Sequence, residues 1–293
     1  MADTPRTAVV TDSTSYLPDE LIAAHGIHRV SLYIAIDGVQ QAELEISAAG
    51  YDDFYERLRR SSEGATTSQP SVGDFLAVYE PLLAEGRDII SIHLSAGISG
   101  TCESARQAAD RLAEEGKGGE RILVWDSRSA CGGQGIMVLA AARAAAAGAD
   151  GAETLAAVER ARGTLKMWFA IDTLEYLRKG GRIGAAQAWL GSALQIKPIL
   201  TLEEEITPVE RVRTRRRAFQ RLVEFAHERK DAGADGWVVQ HIHDPDTARG
   251  LVDECRQVFG SEPVFVSEIG PVIGAHVGPG LVGFGGAPRE LLD

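Results

Sequence analysis

The chain has 293 residues, of which 44% are hydrophobic and 25% charged, so it is long enough to bury the cores of two domains. Its formal charge of −12 argues against nucleic acid as the main ligand, because no broad basic surface can form. Three widely spaced cysteines without a CxxC motif argue against a disulfide framework or a zinc site, and no signal peptide or long apolar span is visible. We therefore expect a cytoplasmic protein without a membrane span.

The first half of the chain alternates short β-rich runs with helical patterns. The predicted strands span residues 7–11, 29–36, 88–94 and 121–125. The predicted helices span residues 18–24, 51–60, 72–85, 101–115 and 134–147. This alternation predicts a mainly parallel α/β sheet that is covered by helices on both faces.

The pattern changes after a further predicted helix at 153–162, which we take as the link to a second domain. The predicted strands of this half span residues 167–171, 196–202, 206–212, 236–242, 264–268 and 280–284. An acidic turn separates 196–202 from 206–212, so these two strands predict a hairpin and a largely antiparallel sheet. We predict an N-terminal α/β lobe at 1–163 and a C-terminal α+β lobe at 164–293.

Three predicted strands of the first half end in turns that are rich in hydroxyl groups. These turns are residues 11–14, 95–101 and 126–129. Ligands of parallel sheets bind at the carboxyl ends of the strands, and a helix that starts at 101 offers free N–H groups and a positive dipole end. Ser99 and Thr101 add hydroxyl donors there, although both residues also fit a plain helix cap. The turn therefore predicts a site for a carboxylate or a phosphate.

Two further polar segments support an anion site. Ser71 is explained as a helix N-cap with Asp74 three residues on, but capping does not explain Thr67 and Ser68 upstream of it. His276 lies at the start of a glycine-rich predicted strand, in the run Ile273-Gly274-Ala275-His276-Val277-Gly278-Pro279-Gly280. Glycines allow the backbone to approach a ligand closely, and an imidazole can pair with an acid group. A lone histidine, however, is more often only structural.

The chain shows no nucleotide-binding motif. No GxxxxGK(S/T) segment occurs, so there is no P-loop for ATP. Residues 278–283 match GxGxxG, but only ten residues follow them, so no βαβ unit can form. We expect this chain to bind neither ATP nor a dinucleotide by itself.

A serine hydrolase is a rival hypothesis. Ser99 and His276, with Asp12 or Asp126, would supply the residue types of a catalytic triad. A nucleophile elbow of the form GxSxG would need glycine at position 101, where this chain has threonine.

Histidines and arginines suggest two more hypotheses. His241 and His243 would share one face of a predicted strand, a spacing that a metal uses, but no third ligand is recognisable and polar surface explains them better. The arginine-rich run 211–217 and the cluster around 178–182 are by default solvated faces, and alternatively a docking surface for an acidic or phosphate-bearing partner.

Several of these segments, in this order, resemble the DegV family of bacterial fatty-acid-binding carriers over residues 7 to about 286. The segments that carry the resemblance are residues 9–14, 67–71, 94–101, 124–127, 174–183, 196–200, 212–214 and 276–280. The resemblance implies a two-domain α/β protein that encloses one long-chain fatty acid in an apolar tunnel between the domains. It implies no cofactor and no catalysis by this chain. A separate ATP-dependent kinase would convert the fatty acid to an acyl phosphate for phospholipid synthesis.

The resemblance also assigns roles to residues. Thr67 and Ser99 match the hydroxyl groups that bind the carboxylate, and His276 matches the histidine of the same network. Arg182 and Arg213 match basic residues that face the kinase. The supporting loops are represented by Ser68, Gly100, Thr101 and Gly278.

Three positions depart from the family pattern. Cys102 stands where the family commonly has an aromatic residue, so we expect an altered tunnel near the head group. Residues 202–205 replace a glycine-containing turn with an acidic one, and residues 130–133 are unusual in detail. The preferred acyl chain length is therefore open.

Overall fold

A computed structural model describes residues 5–61, 64–190 and 196–292. The strands are β1 (Thr7–Asp12), β2 (His28–Val30), β3 (Tyr33–Ile36), β4 (Val39–Ala42), β5 (Ala65–Ser68), β6 (Asp88–His93), β7 (Ile122–Asp126), β8 (Lys166–Ala170), β9 (Lys197–Leu202), β10 (Ile206–Val212), β11 (Gly236–His241), β12 (Phe265–Glu268) and β13 (Val282–Ala287). The helices are α1 (Asp19–His25), α2 (Tyr51–Arg60), α3 (Val72–Ala84), α4 (Thr101–Glu114), α5 (Cys131–Ala146), α6 (Gly151–Thr164), α7 (Glu175–Lys179), α8 (Arg215–Asp231), α9 (Pro245–Phe259) and α10 (Pro271–Val277).

The strands form three sheets. The first has the order β2-β1-β6-β7 and is parallel throughout. The second has the order β10-β9-β8-β13-β11-β12 and is antiparallel except for the parallel pair β11 and β12. A small antiparallel sheet, β4-β3-β5, completes the set. The predicted fold class, a parallel α/β part followed by a mainly antiparallel part, is confirmed.

Helix α5 lies between the two larger sheets. It contacts β1 and β6 on one side and β11 and β13 on the other, while α3 and α4 cover the far face of the parallel sheet and α8 and α9 cover the far face of the antiparallel one. Residues of α5 are mostly alanine and glycine and are buried along nearly the whole helix. Small side chains let both sheets approach the same helix closely, so one apolar core spans both halves of the chain.

One predicted strand is wrong. The apolar pattern of residues 29–36 predicts a single strand, but these residues divide into β2 and β3, which belong to different sheets. The break lies at Leu32, whose N–H donates to Ser13 Oγ and whose carbonyl accepts the N–H of Glu43. Both partners lie outside the run 29–36. The apolar pattern within the run therefore gives no sign of the break.

The second half contains helices that the sequence patterns do not predict. The glycine-rich run around His276 predicts the start of a strand, but His276 lies in the last turn of α10, and the strand begins only at Val282. Pro271 at the first helical position indicates this helix, and Pro245 indicates α9 in the same way. The run 211–217 divides between β10 and the first turn of α8. The sequence patterns likewise do not predict helix α7. In the first half, the same is true of strands β4 and β5.

The division of the chain into lobes at residue 163 remains a prediction. The outer limits of the predicted lobes, Met1 and Asp293, lie outside the described residues. Among the described residues, no helix combines the length and the apolar character that crossing a bilayer requires.

Candidate ligand-binding site

A cavity of about 360 Å³ lies between the two halves of the chain. Most of the side chains that line it are apolar and come from the first half, such as Leu32 and Leu94, and from the second, such as Phe169, Val272 and Leu281. Burial in a space of this kind favours an apolar ligand, because each CH₂ group removed from water contributes about 0.8 kcal/mol.

One end of the cavity is polar. The side chains and backbone there belong to Thr67, Ser68, Gln69, Ser99, Gly100, Arg182 and His276. Thr67 is brought to this end by β5, where it pairs with Ile34 of β3 in the small sheet. His276 is brought there by α10, which packs against both β3 and β5.

Thr67 and His276 are joined directly. Thr67 Oγ1 lies 2.7 Å from His276 Nε2, and the pair is partly buried. Burial, assisted by the positive charge of Arg182, lowers the pKa of His276 to about 4, so the imidazole is neutral near pH 7. His276 Nδ1 is buried and has no hydrogen-bond partner within the described part of the chain. It faces Gly180, where a Cβ atom would collide with it.

The Ser99 turn completes the polar end. Ser99 Oγ lies 2.9 Å from Thr101 Oγ1 and accepts a hydrogen bond of 3.3 Å from the Thr101 N–H at the start of α4. Gly100 permits close packing by Gln69, whose amide would collide with a Cβ atom there. Ser99 therefore sits beside the positive end of a 14-residue helix, which suits an anion.

The acidic turn at residues 202–205, which departs from the family pattern, contacts the loop that carries Ser99. Ser95 Oγ donates to the carbonyl of Glu204 at 2.6 Å, and a Cβ atom at Gly97 would collide with the same carbonyl. Lys166 pairs with Glu203 at 2.8 Å, so the charge of the turn is partly compensated. The hairpin of β9 and β10 thus braces the turn that carries Ser99.

A second cavity, which we call the outer cleft, lies on the far side of the Thr67–His276 pair. Its volume is about 490 Å³, and Thr67, Arg182 and His276 line both it and the inner cavity. Arg59 and Lys179 add cationic groups to the outer cleft. Arg182 is held at the rim by hydrogen bonds to the carbonyls of Ile98 at 3.4 Å and Gly180 at 2.8 Å.

The structure brings most of the predicted site residues together. Six of them line the inner cavity, namely Thr67, Ser68, Ser99, Gly100, Arg182 and His276. Thr101 is fully buried behind Ser99. Gly278 ends α10 at φ +78°, where its lack of a side chain lets the backbone pass over the ring of Tyr176. Arg213 is exposed between β10 and α8 and lines neither cavity.

The expectation for Cys102 needs correction. Cys102 is fully buried in α4, with Sγ 3.6 Å from the carbonyl of Leu94, and it does not line the cavity. Cys131 lines the cavity instead. Burial raises the pKa of the Cys131 thiol, so it is a neutral, apolar wall group near pH 7.

The structure does not assemble the hydrolase triad. Asp12 Oδ2 lies 3.0 Å from His93 Nδ1, and Asp126 Oδ1 accepts backbone N–H groups of Ala96 and Arg128. Neither carboxylate orients His276, whose Nε2 is engaged by Thr67. An imidazole without an orienting carboxylate lacks the geometry that activates a serine.

The histidine metal site lacks support, and the arginine-rich run 211–217 does not act as one unit. His241 is buried, whereas His243 lies beyond the end of β11 at φ +49°. His243 Nδ1 is 3.1 Å from Asp52 Oδ1. The two rings therefore do not share a strand face and are not a surface pair. No group of three metal-ligating side chains occurs among residues 5–61, 64–190 and 196–292. The arginine run is divided as well, because Arg211 stacks over Trp189 and Arg215 pairs with Asp172.

Two residues that shape the site escape prediction from the sequence. Gln69 lines the cavity and its Nε2 donates to Ser104 Oγ at 3.0 Å, yet its sequence context indicates only a turn before a helix. Gly180 abuts His276 but stands in a Gly-Gly pair that looks like an ordinary turn. Neither position has a distinctive local pattern, because both roles arise from tertiary contacts.

A family model described as "Uncharacterised protein, DegV family" matches residues 6–289. The chain belongs to the DegV family. A DegV domain-containing protein of Streptomyces coelicolor is 41% identical over 280 residues, which cover 94% of this chain and 96% of that protein.

Two solved DegV structures share this fold. A DegV family protein from Thermus thermophilus, described for its fatty acid binding, has a TM-score of 0.84 and 34% identity and covers 97% of this chain and 99% of its own. DegV of Bacillus subtilis, described as a fatty acid binding protein, has a TM-score of 0.83 and 34% identity and covers 96% of this chain and 99% of its own.

Proposed function

We propose that this chain binds one long-chain fatty acid in the inner cavity and presents its carboxylate to a separate ATP-dependent kinase. The observation that carries the proposal is an apolar cavity, formed by both halves, that ends at the hydrogen-bonded pair of Thr67 and His276. The fatty acid binding of the Thermus thermophilus and Bacillus subtilis relatives supports the same ligand class.

The apolar walls supply the affinity in this proposal. An acyl chain of about sixteen carbons, at roughly 0.8 kcal/mol per buried CH₂, gives a gross gain of about 12 kcal/mol. Part of this gain offsets the entropy that is lost on association. The polar end then needs to orient the carboxylate rather than to provide most of the binding free energy.

The charge state of His276 defines how the carboxylate is held. A neutral imidazole carries a single N–H, and a buried N–H without an acceptor is more costly than an unpaired lone pair. Because His276 Nδ1 has no partner within the described residues, the proton belongs on Nε2, where it donates to Thr67 Oγ1. The Thr67 O–H is then free to donate to a carboxylate oxygen.

Ser99 holds the other carboxylate oxygen in this proposal. Its hydroxyl lines the cavity beside the first turn of α4, where the helix dipole favours negative charge. Two hydroxyl donors and a helix terminus hold the carboxylate, while Arg182, the one cationic side chain among the described residues of this end, stays exposed at the rim. The carboxylate therefore keeps the electron density that it needs to attack a phosphoryl group.

The outer cleft is the proposed docking place for the kinase and its nucleotide. Arg59, Lys179 and Arg182 supply positive charge there, although the whole chain carries a formal charge of −12. Glu175 also lines the cleft and pairs with Lys179 at 3.3 Å, so Arg59 and Arg182 carry its net positive charge. A cationic cleft next to the carboxylate suits the phosphates of ATP that the kinase would hold. This chain would contribute no catalytic group, and the acyl phosphate product would feed phospholipid synthesis.

Denaturing extraction of the purified protein, followed by mass spectrometry, tests the ligand. About one equivalent of fatty acid per chain is the expected result. Absence of lipid, together with no thermal stabilisation by added palmitate or oleate, would contradict fatty acid binding.

The kinase proposal needs its own test. Protein loaded with fatty acid should give no acyl phosphate with ATP alone, and should give one, trapped by hydroxylamine as a hydroxamate, when lysate of its own cells is added. Arg182→Glu should lose this product, whereas Arg178→Glu, an exposed neighbour that lines neither cavity, should keep it. Product formed with ATP alone would show that catalysis is intrinsic.

A fluorophosphonate probe tests the hydrolase hypothesis. A carrier should remain unlabelled, because Ser99 has no activating base. Labelling of the wild type that disappears in Ser99→Ala would contradict a purely binding role.

A further inference from the structure

Glu43 is a buried carboxylate at the boundary between the two halves and outside the polar end described above. It is 2% exposed, and its oxygens accept hydrogen bonds from Ser13 Oγ at 2.6 Å, the Tyr16 hydroxyl at 2.7 Å and the Val272 N–H at 2.8 Å. Among the described residues, no lysine or arginine pairs with it. A buried carboxylate with donors but no counter-ion is costly, so its presence calls for a structural reason.

The start of α10 supplies that reason. Its N-cap residue, Gly270, has no side chain to cap the helix, and Pro271 has no N–H. The next two backbone donors are satisfied by residues from the first half: Val272 N–H by Glu43, and Ile273 N–H by the Tyr16 hydroxyl at 3.3 Å. A distant carboxylate thus replaces the local cap that most helices use.

The same contacts leave α10 little freedom to move. A Cβ atom at Gly270 would lie 2.7 Å from the Tyr51 hydroxyl and 3.0 Å from Glu43 Oε1, so the backbone is in close contact with both. The Tyr55 hydroxyl donates to the carbonyl of Ile269 at 2.9 Å and abuts Gly274. The first turn of the helix is therefore held on several sides.

Val272 and His276 are four residues apart on α10 and therefore lie on the same face, and both line the cavity. One turn of the same short helix joins Val272 to His276, so we expect a displacement at Val272 to reach His276. We infer that Glu43 is a positioning residue, which fixes α10 through the Val272 N–H and thereby holds the His276 imidazole against Thr67. The importance of this role for ligand binding rests on the proposed function, but the coupling of Glu43 to His276 does not.

The charge state of Glu43 offers a specific readout. Burial raises its pKa to about 7, against the lowering effect of the three hydrogen bonds. The ionised carboxylate accepts all three donors, whereas protonation places an O–H where a donor points. The titratable and charged groups that face this cluster are Asp12, Tyr16, Tyr51, Tyr55, Cys131 and Glu268, with Asp19 and Arg29 beside Tyr51 and His243 beside Tyr55.

The first test uses histidine ¹³Cε1 NMR on the ligand-free protein, with the His276 resonance assigned from His276→Gln. The wild-type resonance should respond to pH with a midpoint near 7 as Glu43 titrates, well above the pKa of about 4 of His276 itself. Glu43→Gln should shift this resonance and abolish the response. Glu45→Gln, at an exposed position of the same turn, should leave both unchanged. An unchanged His276 resonance in folded Glu43→Gln would overturn the inference.

The second test measures palmitate affinity of the same variants. Loss of a hydrogen bond to a charged acceptor predicts binding that is roughly ten- to a hundredfold weaker for Glu43→Gln. If the wild type binds no fatty acid, the proposed function fails while the NMR test still decides the role of Glu43.

A third variant covers the case in which Glu43→Gln does not fold. Tyr16→Phe removes one donor to Glu43 and the acceptor of the Ile273 N–H without changing the ring. It should move the His276 resonance away from its wild-type position. Folded Tyr16→Phe with the wild-type His276 resonance would count against the inference.

Discussion

Thr67 Oγ1 and His276 Nε2 lie 2.7 Å apart although 209 residues separate them in the chain. One residue belongs to an edge strand of the small sheet and the other to the last turn of a short helix. The polar end of the cavity therefore depends on how these two elements are held against each other. Substitutions in the pair, its surroundings and the cavity behind it should each have a distinct effect.

Thr67→Val keeps the shape and the strand preference of the side chain but removes its hydroxyl. Because that hydroxyl is proposed to donate to a charged carboxylate, fatty acid affinity should fall roughly ten- to a hundredfold. Displacement of a fluorescent fatty acid measures the change. Thr66→Val is the matched control, since Thr66 is on the other side of β5 and does not line the inner cavity. Equal losses of affinity in both variants would show that fatty acid binding depends on strand β5 in general and not on the Thr67 hydroxyl.

Gly180→Ala should displace the imidazole without breaking the backbone. Gly180 has a φ of −75°, which alanine adopts freely, but its Cβ atom would collide with His276 Nδ1. We expect a changed His276 NMR resonance and weaker fatty acid binding, with the chain still folded. Gly163→Ala, in a helix where a Cβ atom meets nothing within 4 Å, should leave both properties unchanged. A wild-type affinity for Gly180→Ala would mean that the imidazole position is not critical.

The neutral His276 should make the ligand-free protein less stable at acidic pH. Its pKa is about 4 in the folded state against an ordinary value of 6.5, so the unfolded state binds more protons between these values. The free energy of unfolding that depends on His276 should thus fall as the pH drops from 6.5 to 4, by at most about 3 kcal/mol. Urea unfolding of wild type and His276→Gln at pH 7 and pH 4.5 measures this. The advantage of the wild type over the variant should shrink at the lower pH, and a constant difference would contradict the assigned shift.

Met167→Trp should shorten the acyl chain that the cavity accepts. Met167 lines the cavity beside α5, where its Sδ would lie 3.2 Å from a Cβ atom at Gly133, so a larger ring takes up space that the ligand would use. Binding of a sixteen-carbon acid should weaken relative to that of a ten-carbon acid. The comparison requires isothermal titration with both acids. Lys166→Gln, an exposed change on the same strand that loses only a surface ion pair, should keep the wild-type ratio.

Local sequence patterns predict several elements well. Strand β1 and helix α2 lie within one residue of their expected bounds, because an apolar run and an amphipathic repeat are both local signals. Ser71 caps α3 with a full capping box, as its spacing to Asp74 predicts. The acidic turn likewise identifies the hairpin of β9 and β10.

Long-range contacts account for most of what the sequence patterns miss. The break at Leu32 depends on Ser13, and α10 is held by Glu43, so neither feature has a local signature beyond Pro271. The run of arginines at 211–217 predicts only a charged surface and gives no sign of the start of α8 within it. Thr214 caps that helix by accepting a hydrogen bond from the Arg217 N–H. Six residues singled out by the motifs meet at one cavity, and the resemblance places His276 in one network with Thr67 and Ser99. The direct contact of His276 with Thr67 and the role of Glu43 emerge only from the three-dimensional arrangement.

Strand β13 sits in the interior of the six-stranded sheet, between β8 and β11, although it is the last of the described strands in chain order. Its final residue, Ala287, leaves the ribosome about 280 residues after Thr7. At roughly 5–20 residues per second, that interval is on the order of 15–55 s. Between the synthesis of Leu94 and that of Leu281, the apolar groups of the first half that will line the cavity lack part of its second-half wall. The growing chain thus exposes apolar cavity wall before the cavity can close, and we expect this surface to favour aggregation or chaperone binding during synthesis.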